Sequence, residues 1–184
     1  HCVDASIDRR RPGGRRSASC RAARVANLET QLNFEQMKFL NLSVADSIAS
    51  TALPAQVDMV TALHACNTAT DDAIRFGLAK HARFMVLVPC CQAEIASVLR
   101  KNKARQLKDP LAELWRHPLH TREFGSQLTN VLRCLQLQAH GYQVTVTELV
   151  GWEHSMKNEL IIAELKGPPK ADAIERLQAI LDRL

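Results

Sequence analysis

What the chain lacks narrows the field. No apolar run approaches the roughly 20 residues that a membrane-spanning helix needs, so no membrane partner is expected. Residues 1–25 carry positive charge but no apolar segment of the length a secretory leader requires, so a cytoplasmic protein is expected. Its six cysteines, Cys2, Cys20, Cys66, Cys90, Cys91 and Cys134, then read as free thiols. Aromatic residues make up only 4%, which argues against base-stacking platforms of the single-strand-binding kind. There is no internal repeat and no low-complexity tract. No apolar strand precedes Gly13-Gly14, so that pair is not a phosphate-binding turn of the dinucleotide type.

What is present describes one ordinary domain. With 184 residues, 46% apolar and 23% charged, the chain can bury a real core without splitting in two. Its formal charge is +5 and its pI about 9.0. The excess is concentrated in Arg9–Arg24 and Arg100–Lys108, and clustered cations favour an anionic partner such as RNA. For the first cluster, a solvated basic tail is an equally good reading.

The organising stretch is Val57–Cys91. Two short apolar runs rich in β-branched residues, Val57–Leu63 and Phe84–Pro89, predict strands covered on both faces, with one helix between them. Thr68 is placed to cap that helix, with Asp71 reaching back in a capping box and Asp72 beside it in the positive first turn. His64-Ala65-Cys66 follows the first strand and Pro89-Cys90-Cys91 the second. Carboxyl ends of strands are where open α/β sheets bind ligands.

Upstream, residues 1–16 offer a strand stub ending near Asp8, Ser19–Leu32 reads as a helix, Met37–Val44 as a short strand, and Ala45–Ala55 as a turn or short helix. Downstream come a helix over Gln92–Lys101 with Ile95, Val98 and Leu99 inward, a basic loop, a short segment Leu111–Trp115, and a polar loop RHPLHTR. Arg122–His140 is the clearest helix, with Phe124, Leu128, Val131, Leu132 and Leu135 on the core stripe and Gly141 as its stop. Tyr142–Val150 and Asn158–Leu165 are joined too closely for a crossover helix, so they predict an antiparallel hairpin. An amphipathic helix, Ala171–Leu184, places Ile174, Leu177, Leu181 and Leu184 on one face.

This order predicts an α/β fold, a doubly wound sheet with helices on both faces that finishes in an antiparallel hairpin. That ending resembles the Rossmann-like sheet of class I S-adenosylmethionine-dependent methyltransferases. The segment LHACNTATDD, Leu63–Asp72, followed by VPCC, Val88–Cys91, is similar to a bacterial methyltransferase family. More distantly it resembles the eukaryotic transfer-RNA 2′-O-methyltransferases of the TRM-thirteen type. The resemblance covers about residues 19–166, which sets a methyltransferase-like domain over 19–184 behind a basic, poorly structured segment, 1–18.

The resemblance implies S-adenosyl-L-methionine as cofactor and RNA, tRNA-like, as acceptor. In such enzymes a Gly-rich loop after the first strand holds the cofactor's methionine part. That strand and loop are missing here, so the domain is expected to be N-terminally incomplete, in keeping with a chain that starts at His1. On the cofactor side, Asp8 is the ribose candidate with Asp4 as runner-up, Asn41 and Ser43 are the adenine candidates, ahead of Asp46, and His64 faces the same region. On the acceptor side, His64, Cys66, Cys90 and Cys91 are the catalytic candidates. His64 suits a proton acceptor or hydrogen-bonding role at neutral pH. A strand-end histidine bonded to backbone, and cysteines acting as small apolar residues, are the ordinary alternatives.

Other chemistries fit less well. A cysteine nucleophile of the cytosine-5 methyltransferase kind lacks its flanking motif. A zinc deaminase would need His-x-Glu and Pro-Cys-x-x-Cys, whereas Cys66 stands where Glu is required. Adjacent Cys90 and Cys91 are poorly spaced to share one tetrahedral zinc with His64 and Cys66, so no metal is expected. Two polar loops, one with Trp152, Glu153, His154 and Lys157 and one with Arg116, His117, His120 and Arg122, are candidates to approach the acceptor. A non-catalytic binding module derived from a methyltransferase is the reading from a different class.

Overall fold

The computed structural model describes residues 2–4, 44–49, 53–65, 68–89, 94–101, 113, 116–151, 153 and 158–183, with only the backbone for 2–4, 44 and 64. In chain order the elements are β1 (Cys2–Asp4), α1 (Val44–Ala49), β2 (Met59–Ala65), α2 (Thr68–Ala79), β3 (Phe84–Pro89), α3 (Glu94–Lys101), α4 (Pro118–Ala139), β4 (Tyr142–Glu148), β5 (Glu159–Leu165) and α5 (Ala171–Leu181).

The strands form one five-stranded mixed sheet in the order β1-β2-β3-β5-β4. β1, β2 and β3 are parallel, while β5 runs antiparallel to both β3 and β4. The predicted hairpin is present, and its second strand is the one that joins β3. The β-α-β unit is present too, with β2 starting and ending two residues later than expected. The predicted strand stub corresponds to β1, which pairs Cys2–Asp4 with Met59–Thr61. The Ser19–Leu32 helix and residues 37–43 of the predicted Met37–Val44 strand lie outside the described residues, and Val44 opens α1.

The core is built from rows that cross the sheet. Val60, Met85, Ala163 and Val144 are cross-strand partners, and so are Ala62, Leu87, Ile161 and Val146. α2 lays Ala73, Ile74 and Phe76 on this face, and Leu137 of α4 joins them in the same cluster. Burying a side chain such as Met85, Leu87 or Ile161 contributes about 1.5–3 kcal/mol each. The opposite face of β2 and β3 is less covered than predicted. Val88 is buried there, Thr61 and Val86 are half-buried, and Leu63 is 42% exposed.

The amino edge of the sheet is locked by polar contacts. Tyr142, the first residue of β4, donates its hydroxyl to the carbonyl of Ala82 at 2.6 Å in a buried bond, and burial pushes its phenol pKa up. Gly141 takes φ +88 between α4 and β4, and a Cβ there would run into the carbonyl oxygen of Gly167. It is therefore the helix stop the sequence predicts.

Two helices differ from expectation. α4 begins at Pro118, four residues early, because proline suits the first helical position and His117 is extended just before it. RHPLHTR is thus mostly the opening of a helix. Leu135 of the expected stripe is buried, but the face is otherwise rotated: Thr121, Gly125, Thr129, Asn130, Arg133 and Leu137 also face inward, whereas Val131 is 47% exposed. In α3, Ala96 and Leu99 are buried and Val98 is exposed. The small residues explain the rotation, since α3 and α4 cross at Ala96 and Gly125, where a Cβ on Gly125 would lie 2.7 Å from the Ala96 backbone nitrogen. In α5, Ala173 is the buried residue, while Ile174 and Leu181 are exposed.

Gly125→Val should therefore force the crossing apart and cost about 2 kcal/mol. The check is a denaturant titration, where the midpoint should fall with little change in slope.

Candidate functional site at the carboxyl edge of the sheet

Because β1, β2 and β3 are parallel, their carboxyl ends meet at one edge, and the end of β4 and the start of β5 join them there. β1 is described to Asp4, which pairs with Thr61, and β2 to Ala65. Among the described residues no strand pairs with this side of Ala62–Ala65.

His64 occupies a special position in that stretch of β2. Leu63 pairs with Val88 and Ala65 with Pro89, so two steps along β2 match one along β3, and His64 is the extra residue of a bulge. The sequence places His64 after the strand; the strand instead carries through it to Ala65, because pairing resumes with Pro89. Bulges re-aim the chain near functional sites.

Beyond Ala65 the chain is pinned again. Thr70 is fully buried and donates its hydroxyl to the carbonyl of Ala65 at 2.7 Å. Asp71, in the first turn of α2, accepts from both Nε and Nη2 of Arg133, each at 2.8 Å. This differs from the predicted capping box: Thr68 is already helical, and both oxygens of Asp71 serve the guanidinium. The other predicted acid, Asp72, lies 3.8 Å from Arg75 in a surface ion pair.

Arg133 is only 2% exposed, against 42% for the side chain of Asp71. Its Nη1 donates to Asn130 Oδ1 at 3.1 Å, and Asn130 Nδ2 donates to Glu159 Oε2 at 2.7 Å. A continuous polar chain thus joins the start of α2, the middle of α4 and the start of β5. The sequence reading missed it. Its trace was the i, i+4 series Thr121, Gly125, Thr129, Arg133, which competes with the apolar stripe and marks a face that needs polar partners.

Cys134 lies next to this chain. Burial, helped by the Glu159 carboxylate and opposed by Arg133, pushes its thiol up to about 11. The thiolate is the reactive form, so Cys134 is inert near neutrality.

Of the other sequence candidates, Asp8, Asn41, Ser43, Cys66, Cys90 and Cys91 lie outside the described residues, as do Trp152, His154 and Lys157. Cys66 directly follows Ala65 and Cys90-Cys91 directly follow Pro89, the ends of β2 and β3. Asp46 falls in the first turn of α1. Arg116, His117, His120 and Arg122 are exposed at the start of α4, where the two imidazoles meet edge to face at 5.5 Å. Arg116 pairs with Glu113 and Arg122 with Glu123. Asn130 reaches Glu159 at the carboxyl edge, while Ala139 lies near the amino edge. Among the described residues, no three His, Cys, Asp or Glu side chains come together to hold a metal ion, and no helix is long and apolar enough to cross a membrane.

A family model described as a methyltransferase domain matches residues 16–98, just under half of the chain, and so spans β2, α2 and β3. The match supports a methyltransferase family, with which the mixed α/β sheet is consistent. No curated protein and no solved structure matches the chain.

Two outcomes check the electrostatics. Asp71→Ala should cost about 3 kcal/mol by taking the carboxylate away from a buried guanidinium, and Arg133→Met less, because the half-exposed Asp71 can turn to water; unfolding free energies of the two variants decide the order. Peptide-resolved alkylation of folded protein should leave Cys134 essentially unmodified at pH 8 and accelerate only as the pH approaches 11.

Proposed function

We propose that the chain is a methyltransferase that uses S-adenosyl-L-methionine and acts on RNA, with a tRNA-like acceptor, in a Rossmann-like class I sheet. The observation that carries this reading is that the methyltransferase-domain match spans the strands whose carboxyl ends carry His64, Cys66, Cys90 and Cys91.

The residues present suit such a cofactor. Its ribose calls for an acid at a strand's carboxyl end, and the chain offers Asp4 at the end of β1 and Asp8 four residues on. Asn41 and Ser43 would take the adenine side, and His64 would stand between them and the acceptor side. When bound, S-adenosyl-L-methionine supplies a methyl group on a sulfonium, ready for in-line attack.

The chain's own work is alignment. Methyl transfer needs an acceptor atom held in line, so positioning supplies most of the acceleration. His64 would hydrogen-bond an acceptor hydroxyl and take its proton as the new bond forms. Cys66, Cys90 and Cys91 would line the acceptor pocket. The start of α4, with Arg116, His117, His120 and Arg122 exposed, and the clusters Arg9–Arg24 and Arg100–Lys108 offer cations to an RNA backbone.

Calorimetric titration with S-adenosyl-L-methionine tests the reading first, on the chain as given and on a version extended upstream. Saturable binding is expected, and binding by neither would favour the non-catalytic module. In the version that binds, His64→Ala should abolish methyl transfer to a transfer-RNA pool while changing cofactor affinity little. Unchanged turnover would remove His64 from the mechanism.

A further inference from the structure

We infer that Arg133 is a positioning residue, which holds the start of α2 and the start of β5 in one geometry at the carboxyl edge, where a ligand would meet them. That a ligand binds there, and that it is S-adenosyl-L-methionine, rests on the methyl-transfer reading.

The first connection follows β2. It is flanked by two fixed points, Ala65 held by the Thr70 hydroxyl and Asp71 held by the Arg133 fork. The second lies between β4 and β5. Asn158 closes its neck, donating Nδ2 to the carbonyl of Val150 at 2.5 Å while its own carbonyl accepts from the Leu149 N–H at 2.7 Å. Glu159 follows immediately and is tied through Asn130 to Arg133. One buried guanidinium therefore joins two connections whose residues are far apart in sequence.

Stability alone does not call for this arrangement. A buried ion pair is often no more stabilising than apolar side chains of equal volume, and the rest of α4 buries small or apolar residues without charge. What a guanidinium adds is direction. Its planar fork fixes both oxygens of Asp71 and still offers Nη1 to Asn130, which a lysine ammonium cannot reproduce. The two ends it holds are the first turn after the His64 bulge and the first residue of β5, both at the edge where the candidate site residues gather.

The test is hydrogen exchange read by mass spectrometry on the full chain, for wild type, Arg133→Lys, Asp71→Asn and Asn130→Ala. Arg133→Lys should speed exchange about tenfold over residues 66–72 and 149–160 while β3 keeps its protection. Asp71→Asn should loosen the first region and Asn130→Ala the second. An equal rise throughout, including β3, or no rise in either region, would overturn the proposal. Calorimetry with S-adenosyl-L-methionine adds a readout that simple destabilisation does not move. Arg133→Lys should bind about tenfold more weakly at 25 °C, under conditions where thermal melts show it fully folded. Undiminished affinity in a variant with both connections loosened would also overturn the positioning role. If neither the chain as given nor its upstream-extended version binds S-adenosyl-L-methionine, the methyl-transfer reading fails, and the exchange pattern alone upholds or overturns the coupling.

Discussion

A guanidinium cannot be withdrawn from water unless nearly every donor finds an acceptor, because an unpaired buried charge costs several kcal/mol. Arg133 meets that condition by drawing Asp71 from α2 and Asn130 from its own helix toward one point, with Glu159 of β5 behind them. Much else is arranged to let it. α4 must lie close enough for the fork to reach α2, and the Gly125–Ala96 crossing allows α3 to pack against the same helix without pushing it away. β5 must enter the sheet next to β3, so that Glu159 stands at the edge where β2 and β3 end. Placing β5 between β3 and β4 is thus consistent with both the hydrogen-bond ladder and the buried charge.

The two edges of the sheet are built differently. At the amino edge, backbone and phenol contacts close the structure: Tyr142 on Ala82, Leu165 on Arg83, and Lys166 on the carbonyl of Gly141. These involve neutral groups and short connections. At the carboxyl edge the connections include polar stretches with the candidate chemistry, and they are held by charge-assisted bonds to a helix that runs past them. Such bonds are roughly twice as strong as neutral ones and fix direction better. The edge that needs defined geometry has received the directional contacts.

The elements visible in the sequence are those where one physical signal dominates. Phe84–Pro89 is short, apolar and β-branched, and Tyr142–Glu148 alternates cleanly, so both strands and their partners were legible. Gly141 was legible as a stop because only a residue without Cβ suits φ +88 against a neighbouring carbonyl. Where two signals compete, the apolar pattern misleads. In α4 the stripe of Phe124, Leu128, Val131 and Leu132 looks like the core face, yet a close helix crossing and a buried arginine turn Val131 toward solvent. Nor does sequence alone supply Asp71 with its partner, which stands 62 positions away. The candidate cofactor and acceptor residues came from resemblance rather than pattern, and of these the structure describes Asp46 and the backbone of Asp4 and His64.

That backbone carries more weight than its single residue suggests. Parallel strands gain nothing from an extra residue in one of them, since it spoils an even ladder and leaves a peptide group to find another partner. In β2 the irregularity falls between Leu63 and Ala65, one residue before the strand ends, and the chain is clamped again within five residues by Thr70 on the carbonyl of Ala65. A bulge that served only to end pairing would need no such clamp. One bounded on both sides by fixed points holds the backbone of His64 in a defined place at the carboxyl edge.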